Sequence, residues 1–169
     1  MVTKKRTGGA AQPQSASASI DAIELLKADH REVDGHFEEF KVAKSAADKK
    51  YIAERICAAL RVHAQIEEEL FYPAARKTTK DNDLLDEAFV EHAGAKILIA
   101  EIEAMQPGMP LYDAKLTVLG EQIRHHIKEE EGELFPKVRD SGADLVTLGS
   151  IMAQRKAELM ELLTAAALV

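Results

Sequence analysis

His63-Ala-Gln-Ile-Glu67 and His126-Ile-Lys-Glu-Glu130 are two copies of one phrase, a His with a Glu four residues on, each followed by a proline ten residues after its His, Pro73 and Pro136. An acid-His pair stands ahead of each copy. Asp29-His30 puts its imidazole 33 residues before His63, and Glu91-His92 puts its imidazole 34 before His126. Residues four apart on a helix lie on one face a turn apart, so each phrase offers an imidazole and a carboxylate to one point. The chain is a duplicated metal-ligand pattern, and its four imidazoles and two carboxylates, His30, His63, Glu67, His92, His126 and Glu130, suffice for two metal ions.

The spacing also dictates topology. In antiparallel helices, two residues at one height are equidistant from the turn between them, so the midpoints locate the turns. They fall in 43–48 between His30 and His63, in 77–82 between Glu67 and His92, and in 106–110 between His92 and His126. The last two are polar or Pro/Gly-rich clusters without apolar periodicity, and the first is moderately turn-like. An all-α, up-down-up-down antiparallel four-helix bundle follows, with all six residues at one level.

Apolar stripes in steps of three and four support four such helices. The first carries Ile23, Leu26, His30, Val33, Phe37 and Phe40, and begins near Ser19 or Asp21, with Asp21 and Glu24 at capping-box spacing. The second carries Ile52, Ile56, Ala59, His63, Glu67 and Leu70; the third Leu85, Phe89, His92, Ile99 and Ile102; the fourth Leu116, Leu119, Ile123, His126, Glu130 and Leu134. The six polar residues thus sit on core-facing stripes. Glu is almost never buried unless paired or metal-bound, so two at one level demand cations. After a break at Asp140-Ser-Gly142, an additional C-terminal helix with Leu145, Leu148, Met152, Leu159 and Leu162 on its apolar face is expected to cover a groove of the bundle or to make a dimer contact.

A chain of 169 residues with 46% hydrophobic and 5% aromatic content suits one helical domain with an aliphatic core. Residues 1–19, rich in Gly, Ala, Ser, Gln and Pro, read as a disordered tail; 20–139 form the bundle and 140–169 the extra helix. The formal charge of -7 argues against a nucleic-acid partner. There is no apolar run of membrane-spanning length and no export signal behind Lys4, Lys5 and Arg6, and the single Cys57 suggests a reducing compartment; the expectation is a cytoplasmic monomer or homodimer.

The phrases above, together with Glu-Glu-Glu-Leu-Phe-Tyr-Pro73 and Glu-Leu-Phe-Pro136, resemble the hemerythrin-like HHE cation-binding family over residues 20 to about 139. The resemblance implies a non-haem di-iron centre in which two carboxylates bridge the metals and imidazoles complete each one. The segment from Leu148 through Arg155 and Lys156 is also similar to the extra helix of many bacterial members. Oxygen-carrying hemerythrins place a second His four residues after the third-helix one, and here that position is Lys96. With an oxo or hydroxo bridge, about one exchangeable position remains on each ion. Bridging carboxylates with mixed His favour iron over manganese or zinc, which prefers a closed tetrahedral site. The expected function is binding of, or reaction with, oxygen, peroxide or nitric oxide, for sensing, detoxification or storage. The alternative is an iron-sensing or iron-holding module; any enzyme activity would be metal-based, with no catalytic group separate from the ligands.

Other residues receive plainer readings. His125 also has a Glu four residues on, Glu129, but is turned about 100° from His126 around the helix and is assigned to the edge of the site or to solvent. His36 is expected to face outward or towards a neighbouring helix. Glu68 and Glu131 either orient an imidazole from outside the ligand set or are surface charges. Phe71, Tyr72 and Phe135 are expected to plug the bundle, and Cys57 to be a core or interface residue and not a thiolate ligand.

Overall fold

The computed structural model describes residues 20–79 and 82–167, and all regular structure among these is helical. The expected tail, 1–19, and the middle of the second expected turn lie outside the described residues. Helix α1, Ala22–Val42, starts where the Asp21 carboxylate accepts the Glu24 N–H at 3.0 Å, satisfying one of the donors every helix start leaves open. Ala43 leaves the helix extended, and Ser45 caps α2, Ala46–Ile66, by accepting from the Asp48 N–H. A turn of i→i+5 bonding, Glu67–Phe71, leads from α2 into α3, Tyr72–Thr79, so that the three form one rod. Helix α4, Asn82–Glu103, returns along the bundle.

The loop after α4 uses positive φ at Gly108 (89°) and Leu111 (70°) before α5, Tyr112–Glu129. A second wide turn, Glu130–Leu134, joins α5 to α6, Phe135–Asp140. Gly142, with φ 78°, supplies the left-handed residue that ends this rod, and α7, Leu145–Ala167, follows. The four rods α1, α2–α3, α4 and α5–α6 make the antiparallel bundle, and α7 lies across α1 and α2.

Gly149 marks that crossing. A Cβ there would stand 2.2 Å from the Ile20 carbonyl oxygen and 2.7 Å from the Ala22 nitrogen, so only glycine lets α7 come this close to the start of α1.

Two stripe assignments differ from expectation. Phe89 is 37% exposed, its ring lying edge-on to Tyr72 at 5.3 Å on the rim of the bundle instead of inside it. Leu162 is 63% exposed, because α7 outruns its groove: its apolar face is buried as far as Leu159, and residues 160–166 are exposed.

The core is divided. One apolar cluster includes Leu26, Ile66, Phe71, Leu85, Phe135 and Met152; the other includes Phe37, Ile56, Leu60, Ile99, Leu116 and Leu119. Between them, at the level of His30 and His63, the bundle interior is polar.

Candidate metal centre

All six side chains expected from the sequence to converge are buried and meet at this polar level. His30 from α1 and His63 from α2 face each other, Nε2 to Nε2 at 3.1 Å; His92 from α4 and His126 from α5 do the same at 3.2 Å. Glu67 and Glu130 stand between the two pairs. Glu67 Oε2 is 3.2 Å from His63 Nε2 and 3.4 Å from His92 Nε2, while Glu130 Oε2 is 3.3 Å from His30 Nε2 and 3.4 Å from His126 Nε2. Each carboxylate therefore touches one imidazole of each pair.

The far side of every imidazole is fixed by an acid. Nδ1 of His30 meets Glu131 at 2.8 Å, that of His63 meets Asp29 at 3.5 Å, that of His92 meets Glu68 at 3.0 Å, and that of His126 meets Glu91 at 2.7 Å. An ionised carboxylate only accepts, so each Nδ1 donates its N–H to its acid and each Nε2 is left facing inward, the nitrogen that a cation would take. The pattern crosses over with the duplication. The acid before each lone His, Asp29 or Glu91, holds the partner His of its own half, and the acid after each central Glu, Glu68 or Glu131, holds the lone His of the other half.

Glu68 and Glu131 thus orient imidazoles, the first of the two readings open at the sequence level. Asp29 and Glu91 were visible as neighbours of His30 and His92 but had no role assigned. Two cations back these acids: Lys156 of α7 reaches Asp29 at 2.5 Å, and Lys96 grips both Glu68 oxygens at 2.6 and 2.7 Å.

Tyr72 is the residue that sequence reasoning missed. It plugs the bundle as expected, but its hydroxyl also enters the centre, donating to Glu130 Oε1 at 2.9 Å and standing 3.3 Å from His92 Nε2. The cause is the wide turn. The Tyr72 N–H bonds to the Glu67 carbonyl five residues back, which brings Phe71 and Tyr72 together onto the Glu67 face, where a 3.6-residue repeat would turn Tyr72 away. The second copy repeats this with the Phe135 N–H on the Glu130 carbonyl, and Phe135 stacks on His30 at 5.8 Å. Pro73 and Pro136, whose rings would clash with the carbonyl four residues back in a regular helix, were the signal.

Of the other residues, His36 is buried against a neighbouring helix and His125 lies outside the centre at 64% exposed. Cys57 lies in the second apolar cluster, where burial pushes its thiol up to about 12.

The electrostatics are those of a cage built for positive charge. Burial, and then the charge of Glu130, push Glu67 well above the usual carboxylate range. Burial opposes ionisation of Glu130 too, but the His126 and His30 imidazoles outweigh it and hold that carboxyl down. Burial lowers His63 to about 4 and also lowers His92; for His30 and His126 burial is overcome, chiefly by Glu130, and both are raised. In each facing pair, then, one imidazole is raised and the other lowered, His30 against His63 and His126 against His92. Burial, with negative charge from the central carboxylates adding to it, pushes the Tyr72 hydroxyl well above its usual range.

These donors fit metal ions. With metal–nitrogen and metal–oxygen bonds of about 2.0–2.2 Å, neighbouring ligands stand roughly 3 Å apart, and the Nε2–Nε2 and Nε2–carboxylate separations here are 3.1 to 3.4 Å. The donor atoms group as His30, His63, Glu67 and Glu130 around one point and Glu67, His92 and His126 around another. Glu67 Oε1, fully buried, has no hydrogen-bond partner, an expensive state that a cation would relieve.

A family model described as Hemerythrin HHE cation binding domain matches residues 21–138. A solved structure of a hemerythrin HHE cation binding domain-containing protein from Mycobacterium kansasii shares the fold, with a TM-score of 0.71 at 24% identity over 83% of this chain and 87% of that one. A curated relative from Nostoc sp. strain PCC 7120, named DNA nickase, is 25% identical over 134 residues; the match takes in 79% of this chain but 38% of the relative's length.

Proposed function

We propose, from the premise that this chain belongs to the hemerythrin HHE cation binding domain family, that it is a non-haem di-iron protein that binds or reacts with oxygen, peroxide or nitric oxide. The carrying observation is the inward set of four Nε2 atoms around two buried carboxylates, each imidazole fixed from behind by an acid. In this reading His30 and His63 would hold one ion and His92 and His126 the other, with Glu67 and Glu130 available to both. Six N/O donors without a thiolate suit iron better than zinc. When bound, the iron pair supplies one-electron redox chemistry and open positions for a small ligand.

The chain's own part is to hold, shield and donate. The two apolar clusters exclude water from above and below the centre. Lys96 occupies the place of the fifth imidazole of oxygen carriers and gives its charge to Glu68, which supports a centre with more open positions than a carrier's. Tyr72 makes the halves unequal: its O–H stands beside His92, whereas Phe135 puts an apolar ring beside His30. A small ligand would find a proton donor on one side only.

Elemental analysis of protein purified without added metal, followed by optical spectra with peroxide and with nitric oxide, tests this reading. Two irons per chain and a spectral response to either ligand are expected; iron-free protein, or silence with oxygen, peroxide and nitric oxide alike, would overturn it.

A second reading, an iron-sensing module, draws on α7. Lys156 pairs with Asp29, which holds His63, and Arg155 pairs with Glu69 at 2.8 Å beside Glu67, so metal loading and the seat of α7 share side chains. The DNA-directed activity in the Nostoc relative's name is not carried over. The match spans 38% of that protein, and a formal charge of -7 opposes a phosphate backbone.

A further inference from the structure

His125 and Glu129 repeat the His-x-x-x-Glu phrase one residue ahead of His126 and Glu130, so the same helix presents a second imidazole–carboxylate pair on its outer face. On α5, His125 Nε2 stands 3.2 Å from Glu129 Oε1, and across the groove from α4 it stands 3.7 Å from Glu91 Oε1. One donor atom from each of the three lies within 4.8 Å of the others. The two separations from His125 lie close to the roughly 3 Å between neighbouring ligands of a first-row divalent ion. His125 is 64% exposed, Glu91 29% and Glu129 35%, so water can complete the coordination.

Two further features distinguish this trio from an ordinary surface ion pair. Glu91 faces both ways, with Oε1 towards His125 and Oε2 accepting from His126 Nδ1 at 2.7 Å, so one carboxylate belongs to the outer trio and to the buried centre. An open cleft of about 250 Å³ is lined by Glu91 and His125 of the trio together with His92 and His126 of the centre. That is ample for a partly hydrated cation, since a single water needs only about 10–15 Å³ by this measure.

We propose that Glu91, His125 and Glu129 form an outer, exchangeable site for a first-row divalent cation, which captures the ion and passes it along this cleft to the buried centre. A nitrogen with two carboxylate oxygens favours Fe(II) or Zn(II) over the hard, oxygen-seeking Mg(II) and Ca(II). Exposure makes the site weaker than the buried one. Capture stands on the outer geometry alone, whereas delivery rests on the di-iron reading.

The test uses the full chain. Protein as purified is titrated with Zn(II) by calorimetry, beside the His125→Ala and Glu129→Gln variants, both changed at the surface. One weak equivalent is expected in the parent chain, lost or weakened at least tenfold in both variants. Affinity within twofold of the parent in both would reduce the trio to a surface ion pair and overturn the proposal. Separately, metal-free protein is loaded with Fe(II) without oxygen, and uptake is followed in time. His125→Ala is expected to slow uptake severalfold while reaching the same final iron content; an unchanged rate would overturn delivery. If the parent chain took up no iron in the centre at all, the di-iron reading would fall and the Zn(II) titration would still decide capture.

Discussion

The Tyr72 hydroxyl donates to Glu130 across 2.9 Å, tying the first copy of the repeat to the central carboxylate of the second, while its counterpart Phe135 has no hydroxyl to return the bond. The near-symmetric centre is therefore chemically one-sided.

Tyr72→Phe keeps the ring and removes the bond. Without metal, Glu130 loses its donor in a buried place, and stability should fall by about 1–3 kcal/mol. With iron bound, the cation replaces that donor and the loss should shrink. Thermal melts of the variant and the parent, with and without metal, check this; equal losses in both states would show that the ring's packing, not the hydroxyl, had been disturbed.

Glu67→Gln separates folding from metal binding. In the metal-free chain burial, and then Glu130, push the Glu67 carboxyl well above its usual range and so favour its neutral form, and a neutral amide of the same shape should change the melting temperature little. The same change removes a spanning carboxylate, and bound iron should fall below half the parent's content. Metal analysis beside a metal-free melt tests both halves.

Metal retention should rise with pH. The imidazoles bind as neutral bases, and the raised values of His30 and His126 mean that protons compete for Nε2 above the usual histidine range. Affinity should therefore climb until pH passes those raised values, and loading should release protons, more of them at pH 6 than at pH 9. On acidification the centre should empty before His63, with its value near 4, takes up a proton. Iron content after dialysis across a pH series, with proton release on loading, provides the measurement.

Gly149→Ala should loosen α7. The added methyl would meet the backbone of residues 20–22 at under 3 Å, contacts that no side-chain rotation relieves, so a cost of about 1–3 kcal/mol is expected. Gly35→Ala, on α1 with nothing within 4 Å of its added Cβ, should instead be neutral or stabilising by up to about 1 kcal/mol. The melting temperature of Gly149→Ala should fall while that of Gly35→Ala holds or rises, and proteolysis should cut α7 first in Gly149→Ala.

The bundle and the level of its polar residues were legible because both rest on spacing: four-residue steps name a face, and equal distances from turns name a height. Asp21, Ser45, Gly108 and Gly142 then act at the boundaries as their residue types require. Tyr72 was not legible as part of the centre, since the 3.6-residue repeat fails where Glu67–Phe71 and Glu130–Leu134 widen the helix. The pairing of Asp29 with His63 and of Glu91 with His126 was hidden for another reason: it joins neighbouring helices, and no period along one helix reveals which acid faces which imidazole. Leu162 was misjudged because periodicity shows which face of α7 is apolar but not where the groove beneath it ends.

Iron-edge anomalous diffraction from iron-loaded crystals tests the di-iron reading most directly. Two peaks are expected, one bounded by His30 and His63, the other by His92 and His126, with Glu67 and Glu130 between them. A single peak, or none at this level of the bundle, would contradict it.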